Sequence, residues 1–116
     1  MKKIITANDV FEVERALNIV MDEHIKLPLN IALKLVKVKR ELSDITEYVA
    51  SRIVEIIPKI GKPDGTDLTD QEKFLYSGVM TSPVEVDNQD VVYTDFSDVC
   101  EILVELGVAD KLSMLF

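Results

Sequence analysis

After the dipeptide Leu27-Pro28, apolar residues recur at Ile31, Leu35, Val38, Leu42, Ile45, Val49, Ile53 and Ile56, in steps of three or four. Such steps bring side chains back to one side of an α-helix, and the run from Leu29 to Ile57 covers about eight turns. No other stretch of the chain carries a pattern so long or so regular. Its apolar stripe is the surface against which the shorter elements have to pack. Function, if it resides on this helix, belongs on the other side, in the cluster Lys34, Lys37, Lys39 and Arg40 and the apolar flank at Leu33, Val36 and Tyr48.

The elements around this helix follow from local signals. Lys2 to Thr6 reads as a short edge strand. Thr6 or Asn8 can cap a first helix from about Asp9 to Asp22, since either side-chain oxygen can accept an orphan amide. Val10, Val13, Leu17, Val20 and Met21 share one face of it. Pro28 lacks an amide donor and biases Leu27 away from helical angles, so the long helix restarts there. Pro58 closes it, and Gly61, Pro63 and Gly65 form a loop. Thr69 and Glu72 have capping-box spacing, predicting a third helix from Asp70 to about Tyr76 that offers Phe74 and Leu75, with Gly78 near its end.

Ser82-Pro83 opens an extended region. Val84–Val86 and Val91–Tyr93 flank the polar group Asp87-Asn88-Gln89-Asp90, whose turn chemistry suits a hairpin, with one irregular strand as the rival. Thr94 or Asp95 then caps a fourth helix from Phe96 to about Leu106, with Phe96, Val99, Cys100, Leu103 and Leu106 inward and Gly107 at its C-cap. Leu112, Met114, Leu115 and Phe116 require cover, which predicts a docked tail. The order β-α-α-α-β-β-α-α is an α+β fold in which helices dominate, a single domain over residues 1–116 with a long central amphipathic helix and a small β element.

Composition narrows the classes of function. Of 116 residues, 47% are apolar and 29% charged, enough apolar side chain for one modest core of Ile, Val and Leu. The longest candidate for membrane insertion, Leu27 to Val38, is broken by Asn30, Lys34 and Lys37 and falls short of the ~20 apolar residues a span requires. Met1-Lys2-Lys3-Ile4-Ile5 starts like a signal peptide, but Asn8 and Asp9 cut off any apolar run. A cytoplasmic or particle-associated protein without membrane contact is expected. Cys100 is the only cysteine, which leaves no internal disulfide and no cysteine-based metal cage, and Val99, Ile102 and Leu103 beside it predict a buried thiol.

The net charge of −8 is divided unevenly. Residues 1–62 carry 11 Lys or Arg against 9 Asp or Glu, whereas residues 63–116 carry 2 against 12. The acidic half repels phosphates, so direct nucleic-acid binding is not expected. On the long helix, Lys34, Lys37 and Arg40 precede Glu41, Asp44, Glu47 and Glu55, the reverse of what the helix dipole prefers. Pairing of the basic turns with the acidic C-terminal half accounts for that order most simply. The other use of the acids is imitation of a DNA backbone on a basic protein, with Glu85, Asp87, Asp90, Asp95, Asp98, Glu101 and Glu105 as the candidate surface.

Motifs for catalysis are missing. His24, beside Asp22 and Glu23, has no accompanying nucleophile and reads as a solvated loop residue. The acids Asp64, Asp67, Asp70 and Glu72 fail the EF-hand pattern: counted from Asp64, Leu68 stands at the fifth position and Thr69 where glycine belongs. The chain contains no glycine-rich phosphate loop, no Gly-x-Ser-x-Gly elbow and no His-Glu-x-x-His. No catalytic residue, cofactor or metal ligand is therefore assigned.

Ile25-Lys26-Leu27-Pro28 before a Lys-rich helix, the Gly61/Asp64/Gly65 loop, Val84-Glu85-Val86 and the step Tyr93-Thr94-Asp95-Phe96 occur in a suggestive order. Over roughly Leu17 to Leu115 the chain resembles a group of small accessory proteins of tailed bacteriophages and prophages. The resemblance implies a phage accessory protein made in a bacterial cytoplasm or built into a particle, and it supplies no catalytic residues. The expected function is docking onto a protein, whether its own copies, a virion component or a host factor. The alternative is an acidic DNA mimic that inhibits a nucleic-acid-binding or defence protein. The candidate interaction residues are Leu33, Lys34, Val36, Lys37 and Arg40 for docking and Asp87, Asp90 and Asp98 for mimicry.

Overall fold

The computed structural model describes residues 1–61 and 67–116. In chain order they form β1 (Lys2–Thr6), α1 (Ala7–Asp22), α2 (Leu29–Ile56), a 3-10 turn at Pro58–Gly61, α3 (Asp70–Met80) and β2 (Pro83–Asp87). A 3-10 turn at Tyr93–Phe96, α4 (Cys100–Glu105), α5 (Ala109–Leu112) and a last 3-10 turn at Ser113–Leu115 follow. The fold is helix-dominated α+β, with one small antiparallel sheet among the described residues. The expected loop residues Pro63 and Gly65 and the acid Asp64 lie outside the described residues.

The 28 residues of α2 span roughly 42 Å at 1.5 Å per residue, nearly the long dimension of 46 Å. Its inward face is Ile31, Leu35, Val38, Leu42, Thr46, Val49 and Ile53, and Ile57 just beyond the helix continues the same line. Two positions differ from the apolar reading. The true period carries the face through Thr46 and Ile57, leaving Ile45 half-buried and Ile56 exposed. Buried Thr46 is satisfied because its hydroxyl lies 2.7 Å from Glu14 Oε2 on α1 and 3.0 Å from the Ser43 carbonyl.

Ala7, Val10, Val13, Ala16, Leu17 and Val20 of α1 pack onto that face. Thr6 is the N-cap: its hydroxyl accepts from Asp9 N (3.1 Å) and Asp9 Oδ2 accepts from Thr6 N (3.2 Å). This reciprocal box starts the helix at Ala7, two residues earlier than the apolar pattern alone suggests. A second box joins Thr69 and Glu72 at the start of α3. That helix runs through Gly78 to Met80, past the expected end at Tyr76, and the Thr81 and Ser82 hydroxyls donate back to the Ser77 and Gly78 carbonyls.

β2 pairs with β1 in the register Lys2↔Asp87, Ile4↔Glu85 and Thr6↔Pro83, so neither the expected hairpin nor a second strand at Val91–Tyr93 forms. Instead the polar group turns the chain toward the core. Gln89 and Asp90 both have positive φ (53° and 58°), and Val91 N donates to the Asn88 carbonyl at 3.0 Å, the pattern of a type I′ turn. Asn88 is fully buried: its amide nitrogen donates to the Val91 and Leu115 carbonyls, and its Oδ1 accepts from Asp90 N.

The fourth helix is shorter than expected. Asp95 Oδ2 accepts from Val92 N at 3.0 Å instead of capping a helix ahead of it, so a 3-10 turn forms first and α4 begins only at Cys100. Val99 and Leu103 take the inward positions, and Cys100 is half-buried rather than buried. Leu112 and Leu115 are buried in the main core, and the Phe116 ring packs against Tyr93 and Phe96 at centroid distances of 6.1 and 5.5 Å. Gly107 (φ 73°) ends α4 in a Schellman arrangement, with Val108 N donating to Leu103 O and Gly107 N to Val104 O.

Gly78 and Gly107 make opposite predictions. A methyl group would meet nothing within 4 Å at either position, so backbone conformation alone decides. Gly78→Ala, inside a helix, should stabilise the protein by about 0.5–1 kcal/mol. Gly107→Ala, held left-handed, should cost about 1–2 kcal/mol. Urea unfolding of both variants checks the pair, and a shift of the same sign in both would contradict this geometry.

Candidate functional site

The side of α2 turned away from α1 is a continuous strip of exposed residues: Leu29, Leu33, Val36, Lys37 and Arg40 in the first half, then Asp44, Glu47, Tyr48, Ser51, Val54 and Glu55. These positions recur by the same helical period as the core face, displaced to the opposite side. Leu33 is 52% exposed, Val36 42% and Tyr48 68%. Of the expected docking residues, Leu33, Val36, Lys37 and Arg40 therefore share one surface.

Lys34 departs from that group. Its ammonium lies 4.0 Å from Asp95 Oδ2, which ties α2 to the Tyr93–Phe96 turn. This ion pair joins the basic helix to the acidic C-terminal half as the charge order suggested. Among the described residues it is the only one that does so from the basic cluster; Lys37, Lys39 and Arg40 make no intramolecular salt bridge there.

Beside Val36, a shallow apolar groove of about 340 Å³ opens where α1 turns into α2. Val20, Ile25, Leu27, Ala32 and Leu35 line it, and His24 sits at its edge, exposed and with φ 51°. The lining has no second polar side chain to orient the imidazole, so the groove offers apolar contact. A second groove, of about 310 Å³, lies between α1, the end of α2 and α3, walled by Phe11, Ile53, Val54, Tyr76 and Met80, with Glu12 and Arg15 at its rim. Here α3 sits lightly: none of its residues is buried, and Phe74, expected to contribute to packing, is 78% exposed.

The acids of the mimicry reading do not form one free surface. Asp87 accepts from Gln89 N at 2.9 Å, and both Asp87 and Asp90 pair with the Met1 ammonium, at 3.4 and 2.8 Å. The Gln89 N–H, with the nearby ammonium and Lys2 adding to it, holds the Asp87 carboxyl below the usual aspartate range. The Asp90 carboxylate in turn raises the value of the ammonium. Asp98 is exposed, in the separate segment between the 3-10 turn and α4.

Among the described residues no group of His, Cys, Asp and Glu side chains is placed to hold a metal ion, and no helix is long and apolar enough to cross a membrane. The chain matches no protein-family model, no curated protein and no solved structure. Its reading therefore rests on its own surface. Leu29, at the helix start and outside the apolar stripe read from the sequence, is a further member of the exposed strip. Asp44 and Glu47 stand on the same exposed side as Lys37 and Arg40, as the helical period of the polar residues indicates.

The light seating of α3 has a pH signature. The Lys59 ammonium and the Thr69 N–H hold the Glu72 carboxyl below the usual glutamate range. A carboxyl depressed on folding stabilises the folded form above its ordinary range, and that stabilisation is lost as pH falls through the depressed value. Cα chemical shifts of residues 70–80 should therefore move toward coil values in that acid window while those of α1 and the first half of α2 hold. Glu72→Gln should flatten the dependence; simultaneous melting of all helices in the wild type would contradict it.

Proposed function

We propose that this protein is a non-enzymatic interaction module of phage type, which works by docking the outward face of α2 onto another protein surface. The observation that carries the reading is the exposure of Leu33 and Val36 on one face of a helix whose other face is fully used by the core. Large apolar side chains that continue along a rigid helix and open into an apolar groove are what a protein partner buries. The helix packs against α1, α3 and β2, so the face is presented on an element already ordered by the fold.

The setting is that of the resemblance: a bacterial cytoplasm or an assembled virion, with a virion component, a host factor or a further copy of the chain as partner. Recognition by carboxylates in place of DNA is the weaker reading, because Asp87 and Asp90 already serve the turn and the chain's first residue. The test is to immobilise the wild type and the double variant Leu33→Glu/Val36→Glu and compare what each retains from an infected bacterial lysate. The variant should keep its circular dichroism and lose at least tenfold in retained partner. Equal retention by a variant that folds normally would overturn the assignment of the face.

A further inference from the structure

The exposed strip of α2 carries its charges in two blocks. Lys37 and Arg40 occupy the turn before its midpoint, and Asp44 and Glu47 the turn after it, all four exposed. None of them is engaged in an ion pair among the described residues. The basic block begins more than two turns into the helix, and of the cluster Lys34, Lys37, Lys39 and Arg40 the acidic half of the chain engages only Lys34 among the described residues. Among the described residues the fold thus leaves all four charges at the surface and open to a partner.

We infer that a second copy of this chain docks on the strip, with the two α2 helices antiparallel and crossing near residues 42–44. A strip that reads basic then acidic is complementary to itself only when reversed. A two-fold axis at that level lays Lys37 and Arg40 of one copy against Asp44 and Glu47 of the other, and the same contacts repeat on the far side of the axis. A parallel pair would stack like charge on like. The apolar positions agree with the same axis: Leu33 and Val36 come level with Tyr48, Ser51 and Val54 of the second copy, so the side chains left exposed at both ends of the strip cover each other. Ser51 leaves room for the leucine, since its hydroxyl is folded back onto the Tyr48 carbonyl at 2.8 Å. Four charge contacts at a solvent-accessible rim make the association salt-sensitive and specify its direction, while the apolar ends supply the buried area.

This inference rests on the docking role of the same face and names its occupant. Sedimentation equilibrium across a concentration series should show a monomer–dimer equilibrium that weakens as salt is raised. The all-acidic variant Lys37→Glu/Arg40→Glu and the all-basic variant Asp44→Lys/Glu47→Lys should each dissociate at least tenfold more readily than the wild type. Their mixture should recover a heterodimer, which also shows that both variants remain folded. Direction is read by oxidation in a Cys100→Ser background. Leu33→Cys chains should cross-link to Ser51→Cys chains in a mixture, whereas preferential cross-linking of Leu33→Cys chains to one another would overturn the antiparallel geometry. A wild type that stays monomeric at every concentration would overturn the second copy as occupant. If it still retained a lysate protein through Leu33 and Val36, the docking role would stand and this inference alone would fall.

Discussion

The contact between α1 and the inward face of α2 is the interaction on which the rest of the molecule depends. Val10, Val13 and Leu17 are fully buried against Leu35, Val38 and Leu42 of the longer helix, each burial contributing about 1.5–3 kcal/mol relative to exposure. The remaining elements have too little structure of their own to stand without it. A two-stranded sheet is marginal in water, and β1 and β2 persist because Ile5, Val84 and Val86 lie against the same core. α4 and α5 are one or two turns each and are held by Leu103, Val108 and Leu112. The core is aliphatic almost throughout, and the polar groups it does bury, Thr46 and Asn88, join segments distant in sequence.

The same helix that organises the core leaves its outer face exposed among the described residues. α1 and the C-terminal segments cover its inward side and its Lys34 flank, whereas the strip from Leu29 through Arg40 to Glu55 faces solvent. Its charges are grouped by sign, with Lys37 and Arg40 preceding Asp44 and Glu47 in the middle turns of the helix. Charges grouped in this way on an exposed face are complementary to a reversed copy of the same face, which is the basis of the proposed antiparallel pairing. The docking reading and the charge order thus rest on one piece of secondary structure viewed from one side.

The chain's long elements were legible because their signals are local and repeated. The stripe of α2, the threonine caps at Thr6 and Thr69, and Gly107 each follow from spacing or from backbone chemistry within four residues. Segments whose conformation is decided from a distance were not. Asp87–Asp90 has the composition of a hairpin turn, yet β2 finds its partner at the other end of the chain, and Asn88 is recruited by the Leu115 carbonyl. Asp95 stood as a forward cap and instead bonds backward to Val92, which shortens α4 and moves Cys100 to the margin of the core. The third helix was expected to offer Phe74 and Leu75, yet both are exposed and α3 rests on Ala7, Val49 and Ile53 through half-buried Val79 and Met80. For the candidate site, Leu33, Val36, Lys37 and Arg40 were placed together by period alone. The diversion of Lys34, Asp87 and Asp90 to internal partners depends on tertiary contacts that no local pattern carries.

The central claim is that one helix divides its labour by face, fold on one side and association on the other. Leu33 and Leu35 lie two residues apart on opposite sides of α2 and test it directly. The measurement is the unfolding free energy of Leu33→Ala and Leu35→Ala in urea, at a protein concentration low enough to keep the chain monomeric. Leu35→Ala should lose about 2–5 kcal/mol, and Leu33→Ala should stay within about 0.5 kcal/mol of the wild type. Equal losses at the two positions would mean that both faces of α2 serve the core, and the division of labour would be wrong.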